Sequence, residues 1–169
     1  MIHPNHHNGR SLRLHLRDEA ATSRLGTSLA AGLSPSLRIY LRGDLGSGKT
    51  TLVRALLRAL GFRGRVKSPS YALVELYAIS RLDLYHFDFF RFRDSKEWSD
   101  AGFREHFSRD AVCLVEWPEK AGDLLPPPDI EILLSSPGNG RDALLIAYTL
   151  AGEKCLEAAS QLSSQEGYS

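Results

Sequence analysis

Hydrophobic and polar positions along this 169-residue chain follow two periods, and their alternation predicts the elements. Leu12, Leu14 and Leu16 alternate with Arg13, His15 and Arg17, the period of a half-exposed strand. Asp18-Glu19 then open a helix through about Ala31, with Ala21, Leu25, Ser28, Leu29 and Gly32 on one face. Acids in the first turn suit the positive end of a helix dipole. Leu37 to Leu41 reads as a short strand. Beyond it Leu52, Val53, Leu56, Leu57 and Leu60 recur at helical spacing, Arg54 and Arg58 take the opposite face, and Gly61 stands where a left-handed cap is usual. Residues 72–79 and 82–87 read as a hairpin turning at Ser80-Arg81. Residues 94–106 read as a helix broken at Gly102 and anchored by Trp98 and Phe103. The continuous apolar run Ala111 to Val115 has the character of a buried central strand. After the proline-rich connector Leu124 to Pro128, residues 130–134 and 144–150 read as a last strand pair around Ser135 to Gly140. From Gly152 a short helical stretch passes into Ser-Gln-Glu-Gly polarity.

Between the strand ending at Leu41 and its following helix lies Gly43-Asp44-Leu45-Gly46-Ser47-Gly48-Lys49-Thr50, which fits G-x-x-x-x-G-K-[ST] at every position. Glycines at 43, 46 and 48 let the backbone take turns that a Cβ opposes, so that successive N–H groups converge on phosphate oxygens. The helix beginning near Gly48 adds its unpaired amides and positive dipole end. Lys49 supplies a mobile point charge at the β- and γ-phosphates, and Thr50 offers a hydroxyl to Mg²⁺. Asp44, Leu45, Gly46, Ser47, Gly48, Lys49, Thr50 and Thr51 are therefore the candidate ATP-binding residues. The motif and the element order together predict an α/β, three-layer P-loop NTPase fold. Its mixed sheet has a parallel core around strands 37–41 and 111–115, extended by antiparallel pairs and flanked by helices, with nucleotide at the carboxyl ends of the parallel strands.

Composition narrows this picture without redirecting it. The length suits one domain. We read residues 1–10 as a disordered leader, 11–160 as a single P-loop ATPase domain and 161–169 as a polar tail. A formal charge of +1 argues against a strongly basic nucleic-acid-binding domain. Cys113 and Cys155 stand far apart and indicate neither a zinc site nor a disulfide framework. His3, His6 and His7 lack carboxylate or cysteine partners nearby and fit a leader better than a metal site. No apolar run approaches a bilayer span, and the polar N-terminus lacks a signal-peptide core, so a cytoplasmic location without membrane contact is expected. Arg63, Arg65 and Lys67 alternate through a loop and read equally as a patch for RNA or a protein partner and as a solvated loop.

Hydrolysis needs an acid near Mg²⁺ and a group that positions water. Glu116 ends the apolar strand 111–115, the Walker B arrangement, and is the candidate to hold the cation or orient the water. Asp88 ends another strand and is a second candidate for that work. His86 reads as a proton shuttle or as a packed strand residue, and Trp117 as an aromatic wall or as a core anchor. Lys49, Asp88 and Glu116 form the candidate catalytic set, and Thr50 with Glu116 the candidate metal ligands.

The phosphate loop, followed by Val66-Lys67-Ser68-Pro69-Ser70-Tyr71, His86-Phe87-Asp88 and Val115-Glu116-Trp117-Pro118-Glu119 with Leu125-Pro126, resembles the bacterial TsaE (YjeE) family from about Asp18 to Leu150. Any phosphate-loop protein could show the first block, so the later blocks carry the specificity. The resemblance implies a small ATPase of the pathway that makes threonylcarbamoyladenosine in tRNAs decoding ANN codons. Such a protein binds the TsaD transferase with its TsaB partner, meets tRNA only through that complex, and resets it by ATP hydrolysis that is weak without partners. It also implies a switch-like segment at Ser68, Pro69, Ser70 and Tyr71, and nucleotide approach by Glu19, Thr22 and Arg141, with Arg141 in the last turn. Several positions depart from the family pattern: Ser70 stands for the usual Thr, Phe89-Phe90-Arg91-Phe92 for Leu-Tyr-Arg-Leu and Trp98 for Leu. The alternative reading is a small-molecule P-loop kinase, with Arg91 and Arg93 imagined as phosphate-closing residues. A further alternative is a nucleotide-dependent binding module with slow turnover.

Overall fold

The computed structural model describes residues 10–69, 73–79, 82–100, 102–107 and 110–165. Among these, seven strands form one sheet: β1 (Arg10–Leu16), β2 (Arg38–Arg42), β3 (Val74–Ile79), β4 (Leu82–Asp88), β5 (Val112–Glu116), β6 (Ile130–Ser135) and β7 (Arg141–Ala147). The helices are α1 (Glu19–Ala30), α2 (Lys49–Ala59), α3 (Ser95–Asp100), α4 (Phe103–Phe107), α5 (Pro118–Ala121) and α6 (Leu150–Gln165). The strand order is β1-β7-β6-β2-β5-β4-β3. The pairs β6–β2, β2–β5 and β5–β4 are parallel, while β3, β7 and β1 join antiparallel. The expected mixed sheet with a parallel core is the architecture observed. One strand of the hairpin, β4, is itself a member of that core.

Side chains alternate between the faces of a strand, so each strand feeds two cores. Ile39, Leu41, Leu84, Val112, Leu114, Ile130, Ile132 and Leu145 meet the apolar stripes of α1, α2 and α6 on one side. Tyr40, Tyr85, Phe87, Cys113 and Val115 meet Trp98, Phe103, Phe107 and Ala121 on the other. The second core is aromatic, with Phe87 edge-on to Phe103 and stacked on Phe107, and Trp98 stacked on the same Phe107. Trp98 is thus a core anchor. No helix among the described residues is long and apolar enough to cross a membrane.

Helix α1 begins where its acids predict, with the Asp18 carboxylate accepting the Ala21 amide at 2.8 Å. Helix α2 ends at Ala59 with Leu60 as its cap, and Gly61 takes the left-handed conformation (φ +97°). The structure corrects the chain's last third. The apolar run 144–150 does not stay in one strand: β7 starts earlier, at Arg141, and α6 starts at Leu150. Thr149 makes the switch, because its hydroxyl accepts the Gly152 amide at 3.1 Å and donates to Asp129 at 2.7 Å. Helix α6 then continues through Gln165 and packs on α1, far longer than the short stretch expected from its polar composition. Among the described residues, the elements run from Arg10 to Gln165.

Helices α1 and α2 approach closely at Gly26, where a Cβ would lie 2.6 Å from the Leu52 carbonyl oxygen and 2.8 Å from the Ala55 Cβ. Gly26→Ala improves helix propensity by about 1 kcal/mol yet is expected to lower stability by about 1–3 kcal/mol through overpacking, read from denaturant melts. Burial pushes the Cys113 and Cys155 thiols up to about 12 and also raises the Tyr40 phenol. Groups held protonated in the fold stabilise it fully below their unfolded values and less as pH rises through the folded ones. Urea midpoints should therefore fall as pH climbs from the ordinary thiol value of 9.0 toward about 12, and a Cys113→Ala/Cys155→Ala chain should show a shallower slope.

Candidate functional site

Parallel pairing aligns the carboxyl ends of β2, β5 and β4 at one edge of the sheet. The registers place Leu41 beside Glu116 and Glu116 beside Asp88. The loop after β2 turns back into α2 through three glycines at positive φ: Gly43 (+153°), Gly46 (+79°) and Gly48 (+105°). At Gly43 the requirement is also spatial, since a Cβ would stand 2.6 Å from the Leu134 carbonyl oxygen and 2.5 Å from the Ser47 hydroxyl.

Lys49, the first residue of α2, is buried. A buried ammonium needs partners, and this one has several. It donates to the Gly43 carbonyl, reaches the Asp44 carbonyl at 3.5 Å, and sits 4.2 Å above the centre of the Trp117 ring. Burial pulls its pKa below the ordinary lysine value, while the charges of Glu116, Asp88, Glu119 and Asp44 push in the opposite direction. Trp117 follows Glu116 in a left-handed conformation (φ 55°) that costs about 1–3 kcal/mol in a non-glycine residue. That turn sets its ring beside the lysine and 5.0 Å from Phe90, which is itself exposed at the mouth of the site.

Glu116 is buried to 3% exposure and is hydrogen-bonded to His86 at 2.8 Å. Asp88 is half-buried; it accepts from the Ser68 hydroxyl through one oxygen and from the Phe90 amide at 3.0 Å through the other. Arg42, at the end of β2, bridges Glu131 at 3.0 Å and Glu119 at 3.2 Å, tying the root of the glycine loop to the segment after Trp117. Arg141 lies over the loop: its guanidinium packs on Gly48 and donates to the Gly46 carbonyl at 3.3 Å.

Lys49, Asp88, Glu116, Trp117 and the loop 43–51 are thus brought together, with Ser68 joined through Asp88. Arg141 reaches the loop from the first position of β7, not from the turn expected for it. Glu19 is exposed on the first turn of α1, and the chain before it, Leu16-Arg17, lies against Gly140 at the same rim. Thr22 is fully buried with its hydroxyl directed to the Asp18 carbonyl at 3.4 Å, and the structure does not bring it into the cluster. Pro69 is buried; Ser70 and Tyr71 lie outside the described residues. Sequence reasoning left out Arg42 and read His86 as a proton shuttle or a packed strand residue, outside the candidate catalytic set. The H-x-D spacing was the available signal for His86, because it puts that ring on the same strand face as Asp88.

A family model described as threonylcarbamoyl adenosine biosynthesis protein TsaE matches residues 16–143. The chain belongs to the TsaE family. A relative from Haemophilus influenzae, named tRNA threonylcarbamoyladenosine biosynthesis protein TsaE, is 40% identical over 155 residues, covering 89% of this chain and 98% of its own. A relative of the same name from Bacillus subtilis is 32% identical over 148 residues, covering 88% and 91%. The crystal structure of Bacillus subtilis YdiB superposes with a TM-score of 0.74 at 26% identity, covering 94% of this chain and 97% of that one. TsaE relatives are thus named for a tRNA modification, and their similarity spans both the glycine loop and the two strand-end acids. Of the departures noted from the TsaE pattern, Trp98 lies in the aromatic core and Phe90 at the mouth beside Trp117.

A ligand phosphate that draws the Lys49 ammonium away from the Trp117 ring should change that indole's emission. Titration with ATP is expected to alter the fluorescence of a Trp98→Phe chain and to leave a Trp117→Phe chain unchanged.

Proposed function

We propose that this chain is the ATP-binding and ATP-hydrolysing component of tRNA threonylcarbamoyladenosine synthesis, acting in the cytoplasm. The observation that carries the reading is the buried Lys49 at the head of α2, facing two acids at the ends of neighbouring parallel strands. A glycine loop of this shape directs amides at an anion, and Lys49 exchanges the Gly43 and Asp44 carbonyls for phosphate oxygens. Arg141 and the indole of Trp117 border the same space and orient the nucleotide.

The donor set fits Mg²⁺: the Thr50 hydroxyl and the Glu116 carboxylate are hard oxygen ligands at the mouth of the loop, and they would hold it. When bound, Mg²⁺ neutralises charge on the β- and γ-phosphates. Asp88, held by Ser68 and the Phe90 amide, orients the attacking water. Ser68 belongs to the switch-like segment Ser68–Tyr71, so its hydroxyl links the occupancy of the site to that segment through Asp88. The exposed Leu45 and Phe90 flank the mouth and offer apolar contact to a protein partner. The partners in this reading are TsaD and TsaB, with tRNA engaged through them, and hydrolysis resets their complex between turnovers.

Phosphate release is expected to be slow for the chain alone and to rise when TsaB, TsaD and tRNA are added. Fast release unaffected by those partners would count against the reading and favour a small-molecule kinase. Lys49→Ala should weaken ATP binding about a hundred-fold or more, the cost of an unpaired phosphate charge in a water-poor site. Glu116→Ala should leave ATP affinity in the absence of Mg²⁺ nearly unchanged and lower turnover about a hundred-fold or more. Calorimetry and single-turnover phosphate release separate the two effects; equal ATP affinity for the parent and Lys49→Ala would sink the assignment.

A further inference from the structure

His86 is 1% exposed, on the same face of the sheet as Asp88 and Glu116. Its register partner on β5 is Leu114, two residues before Glu116, so the imidazole leans along the strand toward the carboxyl end and meets the Glu116 Oε2 at 2.8 Å through Nε2. The two side chains are 1% and 4% exposed. The other ring nitrogen, Nδ1, is buried without a hydrogen-bond partner among the described residues. A bare acceptor nitrogen is cheaper to bury than a bare N–H, because an unsatisfied donor forfeits its full hydration. An ionised carboxylate only accepts, so the ring donates to it through Nε2.

A buried polar ring on the face of β4 that also carries Leu84, beside Leu114 of β5 in the aliphatic core, has a cost that packing alone does not explain. Leucine would fill the same space without leaving an orphaned nitrogen. What leucine lacks is a donor fixed at one carboxylate oxygen. With Oε2 engaged by His86, the Glu116 carboxylate is restrained beside the Lys49 charge, and no hydrogen bond to its Oε1 is seen among the described residues, which leaves Oε1 as the oxygen for the cation. The geometry points to His86 as a positioning residue, which orients Glu116 for the cation and nucleotide in the site proposed above. This role rests on that reading of the site. It uses the hydrogen bond, not proton transfer.

The test compares His86→Leu, which fills the volume without a donor, with His86→Gln, whose amide nitrogen reaches the position of Nε2. Affinity for a non-hydrolysable ATP analogue is measured by calorimetry with chelator and then with Mg²⁺, alongside single-turnover phosphate release. His86→Leu is expected to keep chelator-state affinity within about two-fold and to lose about ten-fold or more of both the Mg²⁺-dependent gain and the turnover, with His86→Gln recovering most of each. A His86→Leu chain whose Mg²⁺-dependent gain and turnover stay within about two-fold of the parent overturns the role. So does a His86→Gln chain that folds and is no better than His86→Leu. If His86→Leu fails to fold, His86→Gln decides alone: near-parent values support the role, and a ten-fold or greater loss of about the same size in gain and turnover overturns it. A parent chain that binds no ATP removes the nucleotide reading and His86's role together, whereas a parent that binds it beside an indifferent His86→Leu removes only the second.

Discussion

Parallel pairing of β2, β5 and β4 is the constraint on which the rest of the site depends. Parallel strands run in one direction, so the loop leaving β2 and the acids ending β5 and β4 emerge at the same edge of the sheet. The register then brings Leu41, Glu116 and Asp88 into line across three strands. A shift of one residue in β5 would turn Glu116 to the opposite face, into the aromatic core in place of Val115. The two cores prevent that slip. Leu114 and Val112 must meet α1 and α2, while Cys113 and Val115 must meet Phe107 and Ala121. Packing far from the chemistry therefore determines which face the carboxylate takes.

Electrostatics explains the local detail at that edge. The Lys49 ammonium is drawn out of water by the loop that surrounds it, and two backbone carbonyls, the Trp117 face and several acids compensate the loss. Each of these is a weaker partner than a phosphate group. The ammonium is thus held in one place between the loop and the acids. The left-handed backbone at Trp117, the Arg42 bridges to Glu119 and Glu131, and the His86 bond to Glu116 all restrict the same few side chains.

Much of this was legible in the sequence, because the glycine loop, the apolar run ending at Glu116 and the hairpin ending at Asp88 are local patterns with local physical causes. The order of the strands was not, since a backbone ladder between β2 and β6 leaves no trace in either segment's side-chain period. The start of α6 was missed because Leu144 to Leu150 is apolar throughout, and the single polar signal within it, Thr149, reads equally well as a strand residue until its bonds to Gly152 and Asp129 are seen. Thr22 entered through the family resemblance alone, and its burial against the rest of the fold cannot be read from spacing. Arg42 was passed over for a related reason: its two acidic partners come from segments far along the chain.

The route of the chain through the sheet has a kinetic side. β2 finds its parallel neighbours only in β5 and β6, after the whole hairpin and the short helices have been made, and β1 waits for β7 near the other end. Such long-range closures are slow, because the loop entropy is spent before the contacts return it. The glycine loop and α2 are contiguous and can form early, but the acids that complete the cluster arrive only when the central ladders close. A chain emerging from synthesis thus carries Lys49 on its glycine loop long before Glu116 and Asp88 can reach it, and the assembled cluster appears only with the final topology.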